Sequence, residues 1–555
     1  MRRGKRFRIA VIATAAALVV SAGCTGTEGQ SGTSSGDRID YLNFGGFGGG
    51  SNPQPNYNPY LEATRLEAYG YLFEPLMQFD NYACEAKPWL ATKWEWKDAS
   101  TLVFTMRDNV KWNDGQAFTA KDVEFTFNML KQHKALDLRG LWRYLSAVTA
   151  PDDKTAQFTF NGPGAAAFTE IDDVRIVPKH IWEKQSDPVT FVNADNPVGT
   201  GPFTVKSFNG QQLVIARNPT YWQADKVKVD EVRFNSDQGD SQVNQLKLSR
   251  GEFDHNAMFV PDIQKTYVDR DPKNNHYWYP AEGTIAFYMN LTKAPFNDVA
   301  FRKALLTAIN RQEIADKAQL GYVKPASQTG IRMPNQEDFI PSDIADKGVQ
   351  KFDSAKADAA LTAAGYNKGA DGKRLDKSGK PIAFKFAVPG DWSDWVAAQR
   401  IIIENLSALG FSITQDGPAF PAYENDRAIG NFDAVLGVYG GTCNMFRNFQ
   451  EALSSDVSAP VGQKATSNFV RWNDPRTDEL IDKLFGAQDK NAQKPIVADL
   501  AKIMMDQVPV IPLWYGARWF QYSTKKATGW PNEKEPFAMP TDNLLWITNL
   551  KPAAG

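Results

Sequence analysis

Cysteine and histidine are scarce: 555 residues contain three Cys and four His. The histidines, His133, His180, His255 and His276, are scattered without the spacing of a metal site. There is no C-x-x-C pair and no phosphate-binding G-x-x-x-x-G-K-[ST]. No apolar run reaches the ~20 residues that span a bilayer as a helix. The formal net charge is −2, and taking away the five Lys and Arg of the first 23 residues makes it −7. Nucleic-acid binding needs clustered basic residues to neutralise phosphate, so that class is set aside. Neither a cofactor nor a metal is expected. Asp and Glu pairs are as numerous as in any chain of this size, so counting alone does not remove a secreted glycoside hydrolase.

Aromatics are abundant, with 15 Trp, 18 Tyr and 34 Phe. Large cores use large side chains, and binding crevices do too. A chain of this length exceeds one hydrophobic core, which stops growing at ~250–300 residues, so at least two lobes are expected.

The N-terminus reads as a signal peptide over residues 1–23. Arg2, Arg3, Lys5, Arg6 and Arg8 precede the apolar stretch from Ile9 to Val20, and small residues then lead to Cys24. Cys24 after Ala22-Gly23 resembles a bacterial lipobox, with Ser21 where Leu or Val is usual. The resemblance implies a lipidated Cys24 and an anchor on the outer face of the cell membrane. Residues 24–37 form a Gly/Ser/Thr tether. The two other cysteines, Cys84 and Cys443, are compatible with a disulfide in an oxidising compartment or with two buried thiols.

Past the tether, Ile39 to Phe44 reads as a strand, followed by a glycine-rich loop from Gly45 to Ser51. Leu102 to Met106 alternates as a strand, Asp114-Gly115 is a turn, and Thr119-x-x-Asp122 opens a helix through Leu130 as a capping box. Farther on, Ile382 to Val388, Ser393 to Leu409 and Phe411 to Thr414 read as strand, helix and strand, with Gly410 after the helix. In such a unit, ligands sit beyond the carboxyl ends of the strands, where Asp391, Trp392, Asp394 and Trp395 lie.

Leu90 to Leu130, with Phe104, Arg107, Val110, Lys111, Trp112, Asp114, Gly115, Phe118, Thr119, Asp122 and Val123, resembles the signature of the family 5 extracellular solute-binding proteins. So do Asn196 to Phe203, Arg217 to Trp222, Phe287 to Asn290, Ala294 to Phe296 and Phe301 to Ala304, in order and spacing. The resemblance implies an α/β, two-lobed periplasmic-binding-protein-like fold of type II, with an extra domain inserted in the first lobe. Residues 38–78, 197–290 and 515–555 are assigned to lobe I, 79–196 to the insertion and 291–514 to lobe II. It also implies a monomer that captures a solute without catalysis and hands it to the transmembrane subunits of an ABC permease.

Family peptide binders often carry a Trp-x-Ala-Asp motif whose acid meets the ligand amine. Counting from Asp433 puts Thr442 there, which lowers the peptide reading. The segments from Val508 to Trp519 and from Gly529 to Pro536 are similar to the cello- or related β-oligosaccharide-binding branch. Stacking rings and hydrogen-bonding partners suited to a sugar are therefore expected among Asn43, Phe44, Phe47, Trp278, Asp391, Trp392, Trp395, Tyr439, Asn444, Trp514, Trp519 and Trp530. Trp392 and Trp530 lead that set because both adjoin turn residues. Oligopeptide remains the alternative ligand.

Overall fold

The computed structural model describes residues 36–45, 54–61, 66–236, 241–441 and 443–554. The signal peptide, Cys24, Phe47 and Thr442 lie outside the described residues. Among the described residues no helix is long and apolar enough to cross a membrane.

The strands are β1 (Ile39–Gly45), β2 (Met77–Asp80), β3 (Glu85–Pro88), β4 (Ala91–Asp98), β5 (Thr101–Met106), β6 (Leu145–Thr149), β7 (Thr155–Phe160), β8 (Phe203–Phe208), β9 (Gln212–Arg217) and β10 (Val229–Asn235). They continue with β11 (His255–Asn256), β12 (Asn275–Tyr277), β13 (Ala281–Met289), β14 (Ala383–Ala387), β15 (Ser412–Asp416), β16 (Ala434–Tyr439), β17 (Ile511–Ala517) and β18 (Gln521–Ser523). Three larger sheets and the antiparallel β2–β3 hairpin organise them. A seven-stranded sheet runs β12-β18-β11-β1-β10-β9-β8, a four-stranded sheet β4-β5-β7-β6, and a five-stranded sheet β15-β14-β16-β13-β17. The helices needed below are α1 (Ala120–Gln132), α2 (Ala167–Asp172), α3 (Ser393–Ser407), α4 (Phe420–Ile429), α5 (Met445–Leu453), α6 (Pro475–Gly486) and α7 (Asn543–Ile547).

The four-stranded sheet follows from period-two patterning. Leu102, Phe104 and Met106 of β5 and Ala156, Phe158 and Phe160 of β7 all point inward. Helix α1 covers it and begins at the expected capping box: Thr119 N donates to Asp122 Oδ2 at 2.9 Å, and Lys121 N to Thr119 Oγ1 at 3.3 Å.

Signature residues far apart in sequence meet at Glu74. Its buried carboxylate accepts from Trp89 Nε1 at 2.6 Å, Tyr221 OH at 2.8 Å and Trp222 Nε1 at 3.2 Å, and Arg107 lies over the Trp222 ring at 4.1 Å. Burial pushes this carboxyl up to about 7. Gly199 and Gly201 press against the backbone of Tyr71 and Leu72, where any Cβ would collide with carbonyl oxygens.

The predicted strand, helix and strand form as β14, α3 and β15, with β14 parallel to β15 and Gly410 at φ +95°. The chain passes between the seven- and five-stranded sheets at 277–281 and 517–521. The sequence places these crossings near Asn290 and Trp514, to within about ten residues. Strand β13 joins the five-stranded sheet along its length, pairing with β16 and β17, so the first crossing comes before it.

Candidate functional site at the seam between the sheets

The two crossings lie side by side. Trp278 N donates to Phe520 O at 2.9 Å and Arg518 N to Pro280 O at 2.8 Å. Alternation along these extended segments separates their side chains. Tyr277, Tyr279 and Trp519 cluster with Phe259 and Tyr322: Tyr279 lies 4.8 Å from Tyr277, 4.8 Å from Trp519 and 5.3 Å from Tyr322, and Phe259 lies 5.2 Å from Trp519. Trp278 instead meets Tyr82 of the β2–β3 turn at 5.7 Å.

Polar groups gather on the Trp278 side. The Glu282 carboxylate accepts from Thr541 Oγ1 at 3.2 Å and stands 3.8 Å from Arg518 Nη1. Arg332 is buried and donates to Gly441 O at 3.3 Å. Burial holds its guanidinium below the usual range, partly offset by Glu282. Asp542 accepts from Asn81 N and Nδ2 at 3.1 and 2.8 Å, and burial pushes its carboxyl up to about 7. Cys84, in the β2–β3 turn, is disulfide-bonded to Cys443, which follows β16.

Farther from the crossings, the two sides touch directly. Asn444 Nδ2 reaches Thr169 Oγ1 at 2.6 Å, Glu170 Oε1 at 3.0 Å and Ala166 O at 3.2 Å. Its Oδ1 meanwhile caps α5 by accepting from Phe446 N at 3.0 Å. Tyr144 stacks on Phe485 of α6 at 3.7 Å, and Arg143 pairs with Asp456 and Asp482. Burial raises the Glu170 carboxyl, and Arg447 at 3.5 Å opposes the rise.

This seam combines flat rings with carboxylate, guanidinium, hydroxyl and amide groups, a set suited to holding a polar ligand by stacking and hydrogen bonds. The histidines lie elsewhere. His180 pairs with Asp114 at 2.7 Å, and burial pushes His255 down to about 4. Among the described residues there is no group of three or more His, Cys, Asp or Glu that could hold a metal ion.

Of the expected contacts, Trp278, Asn444 and Trp519 lie at the seam. Trp530 does not: it is 1% exposed, donates from Nε1 to Ala527 O at 2.9 Å, and packs among Phe44, Phe520, Tyr522 and Trp546. Phe44 and Trp514 are likewise core residues, on β1 and β17. Tyr439 ends β16 with its ring buried. Trp392 stacks on Phe420 at 5.1 Å and against Trp395 at 4.8 Å, so these rings fasten α3 to α4, with Asp391 exposed beside them. Asn43 lines a separate cavity of about 400 Å³ with Tyr41, Arg233, Lys247 and Phe253. Tyr82, Glu282, Arg332, Arg518 and Thr541 are not among the expected contacts; Cys84 marks the turn that carries Tyr82, and Trp519 adjoins Arg518.

The profile described as bacterial extracellular solute-binding proteins, family 5 Middle, matches residues 85–459. A dipeptide-binding protein of Bacillus subtilis, DppE, is 23% identical over 461 residues, 78% of this chain and 79% of its own. The periplasmic oligopeptide-binding protein OppA of Salmonella typhimurium is 24% identical over 475 residues, 80% of this chain and 81% of its own. Among solved structures, a periplasmic oligopeptide-binding protein of Thermotoga maritima with mannohexaose bound is 28% identical, with a TM-score of 0.84 over 94% of this chain and all of its own. The oligopeptide-binding protein AppA of Bacillus subtilis, in complex with a nonapeptide, is 20% identical with a TM-score of 0.76, over 94% of this chain and all of its own.

Proposed function

Since the chain belongs to the bacterial extracellular solute-binding proteins of family 5, which serve ABC importers and bind without catalysis, we propose that it captures an oligosaccharide, cello- or a related β-linked oligomer, at the seam between its sheets and delivers it to a permease. Its fold is the type II periplasmic-binding-protein fold of that family. The sugar reading rests on one observation: the chain resembles the mannohexaose-bound protein more than the nonapeptide-bound one, by both identity and TM-score. The exposed ring of Tyr82, beside Trp278, suits the apolar face of a sugar ring, and Glu282, Arg518 and Thr541 on the same side suit the hydroxyls. Binding draws the two lobes together about the paired crossings, shifting a pre-existing equilibrium. The mature protein is held to the outer face of the cell membrane by lipid on Cys24.

Manno-, cello- and xylo-hexaose, added to the purified protein with and without dithiothreitol, test this by calorimetry and melting temperature. A ligand at a hundred times its Kd stabilises by about 2.7 kcal/mol, a rise of a few degrees. No response to any of the three sinks the sugar reading. A second reading, an oligopeptide ligand, is favoured by the names of the curated relatives and by Glu282, a carboxylate available to a free amine. It predicts a response to tri- and tetrapeptides instead.

A further inference from the structure

The Cys84–Cys443 bond joins the two sides of the seam. Cys84 belongs to the β2–β3 turn, which packs with α2 and α7 of the first side. Cys443 follows β16 of the five-stranded sheet, 359 residues later. Neither end is free to drift. Asp80 Oδ1 accepts from Tyr82 N and Ala83 N at 3.0 Å each, Cys84 N donates to Asp80 O at 2.8 Å, and Asn81 is held by Asp542. On the other side, Gln336 Nε2 donates to Cys443 O at 3.3 Å and Asn444 caps α5.

The backbone of the turn does not call for a cysteine. Cys84 has φ +61°, a left-handed position that favours Gly or Asn. The Cα atoms stand 5.5 Å apart, and a disulfide tolerates a separation of up to about 6.8 Å, which leaves roughly 1 Å of travel. Any opening that carries these two segments farther apart than that is blocked while the bond is intact.

We propose that the Cys84–Cys443 disulfide is a redox latch: oxidised, it holds the seam closed, and reduced, it lets the lobes part and exchange ligand. This rests on the solute-capture reading and adds a control to the same site. Cys84 is exposed and Cys443 half-buried, so an exchange partner has access. A thiolate of an external dithiol attacks one sulfur, breaking the S–S bond and forming a mixed disulfide. The reagent's second thiol then resolves it, leaving two cysteine thiols and the oxidised reagent. A disulfide oxidant runs the exchange backwards.

The test is small-angle scattering of the ligand-free protein before and after dithiothreitol, with non-reducing peptide mapping to confirm the bond. A compact chain of this size has a radius of gyration of roughly 24 Å, and reduction is expected to raise it by about 1 Å or more. Cys84→Ser/Cys443→Ser is expected to match the reduced protein without reagent and to ignore dithiothreitol. Reduction is also expected to speed release of mannohexaose at least about tenfold, mostly through the off-rate. Equal radii in both redox states, or no cross-linked peptide, overturns the latch. The scattering needs no ligand. If no sugar binds, it still decides the latch; if sugar binds and the radius ignores dithiothreitol, capture stands and the latch falls.

Discussion

Asn444 spans the seam to Thr169: its amide nitrogen lies 2.6 Å from the threonine hydroxyl while its amide oxygen caps α5. One side chain thus serves a helix end and a contact between the two sides. Asn444→Asp keeps the cap but sets a carboxylate against Glu170, so melting should change little while ligand affinity falls about tenfold, or about 1.4 kcal/mol. Asn444→Ala loses both functions and should also cost about 1 kcal/mol of stability. Calorimetric binding and thermal unfolding of the two variants separate the roles; equal affinity in Asn444→Asp and the parent would refute the bridging role.

Tyr82 and Trp530 should behave oppositely. Tyr82 is 37% exposed beside Trp278, so Tyr82→Ala should weaken ligand binding about tenfold and leave melting nearly unchanged. Trp530 is packed in the core, so Trp530→Ala should cost about 3–5 kcal/mol of stability. Denaturant unfolding and titration calorimetry on the two variants check this.

Glu74 sets a pH dependence. Its carboxyl is raised in the folded state from 4.5 to about 7, so the fold binds this proton more tightly than the unfolded chain does. The resulting stabilisation is complete below about pH 4.5 and is lost as pH rises through about 7, on the order of 3 kcal/mol. Asp542, raised from 3.8 to about 7, acts with the same sign. Scanning calorimetry should show a fall in melting temperature between pH 5 and pH 8. Glu74→Gln, which removes the titration, should flatten that fall; an unchanged slope counts against the assignment.

Cys24 should carry the anchor. Full-length protein expressed in a bacterial host with labelled palmitate should take up label and sediment with membranes, and Cys24→Ser should do neither.

Local signals in the sequence were read well. The Thr119–Asp122 box, the β14–α3–β15 unit and the alternating β5 each depend on neighbours within a few residues. Tertiary partners were not legible. Trp530 adjoins Gly529 and Pro531, which suggested an exposed loop, yet its ring folds back onto Trp546 sixteen positions on. Nothing local to Thr284–Met289 announces that its partners are β16 and β17, more than a hundred residues away. At the seam, Arg332, Glu282 and Thr541 come from three distant segments, and no spacing rule joins them.

Ala281 and Ala517 are register partners at the edge of the five-stranded sheet. The polypeptide between them therefore departs and returns through a single doorway about one strand spacing wide. Once the Cys84–Cys443 bond is opened, such a segment is topologically a detachable cassette: it can be transplanted, or have its ends joined by a short linker and new termini cut elsewhere, without rethreading the rest of the chain.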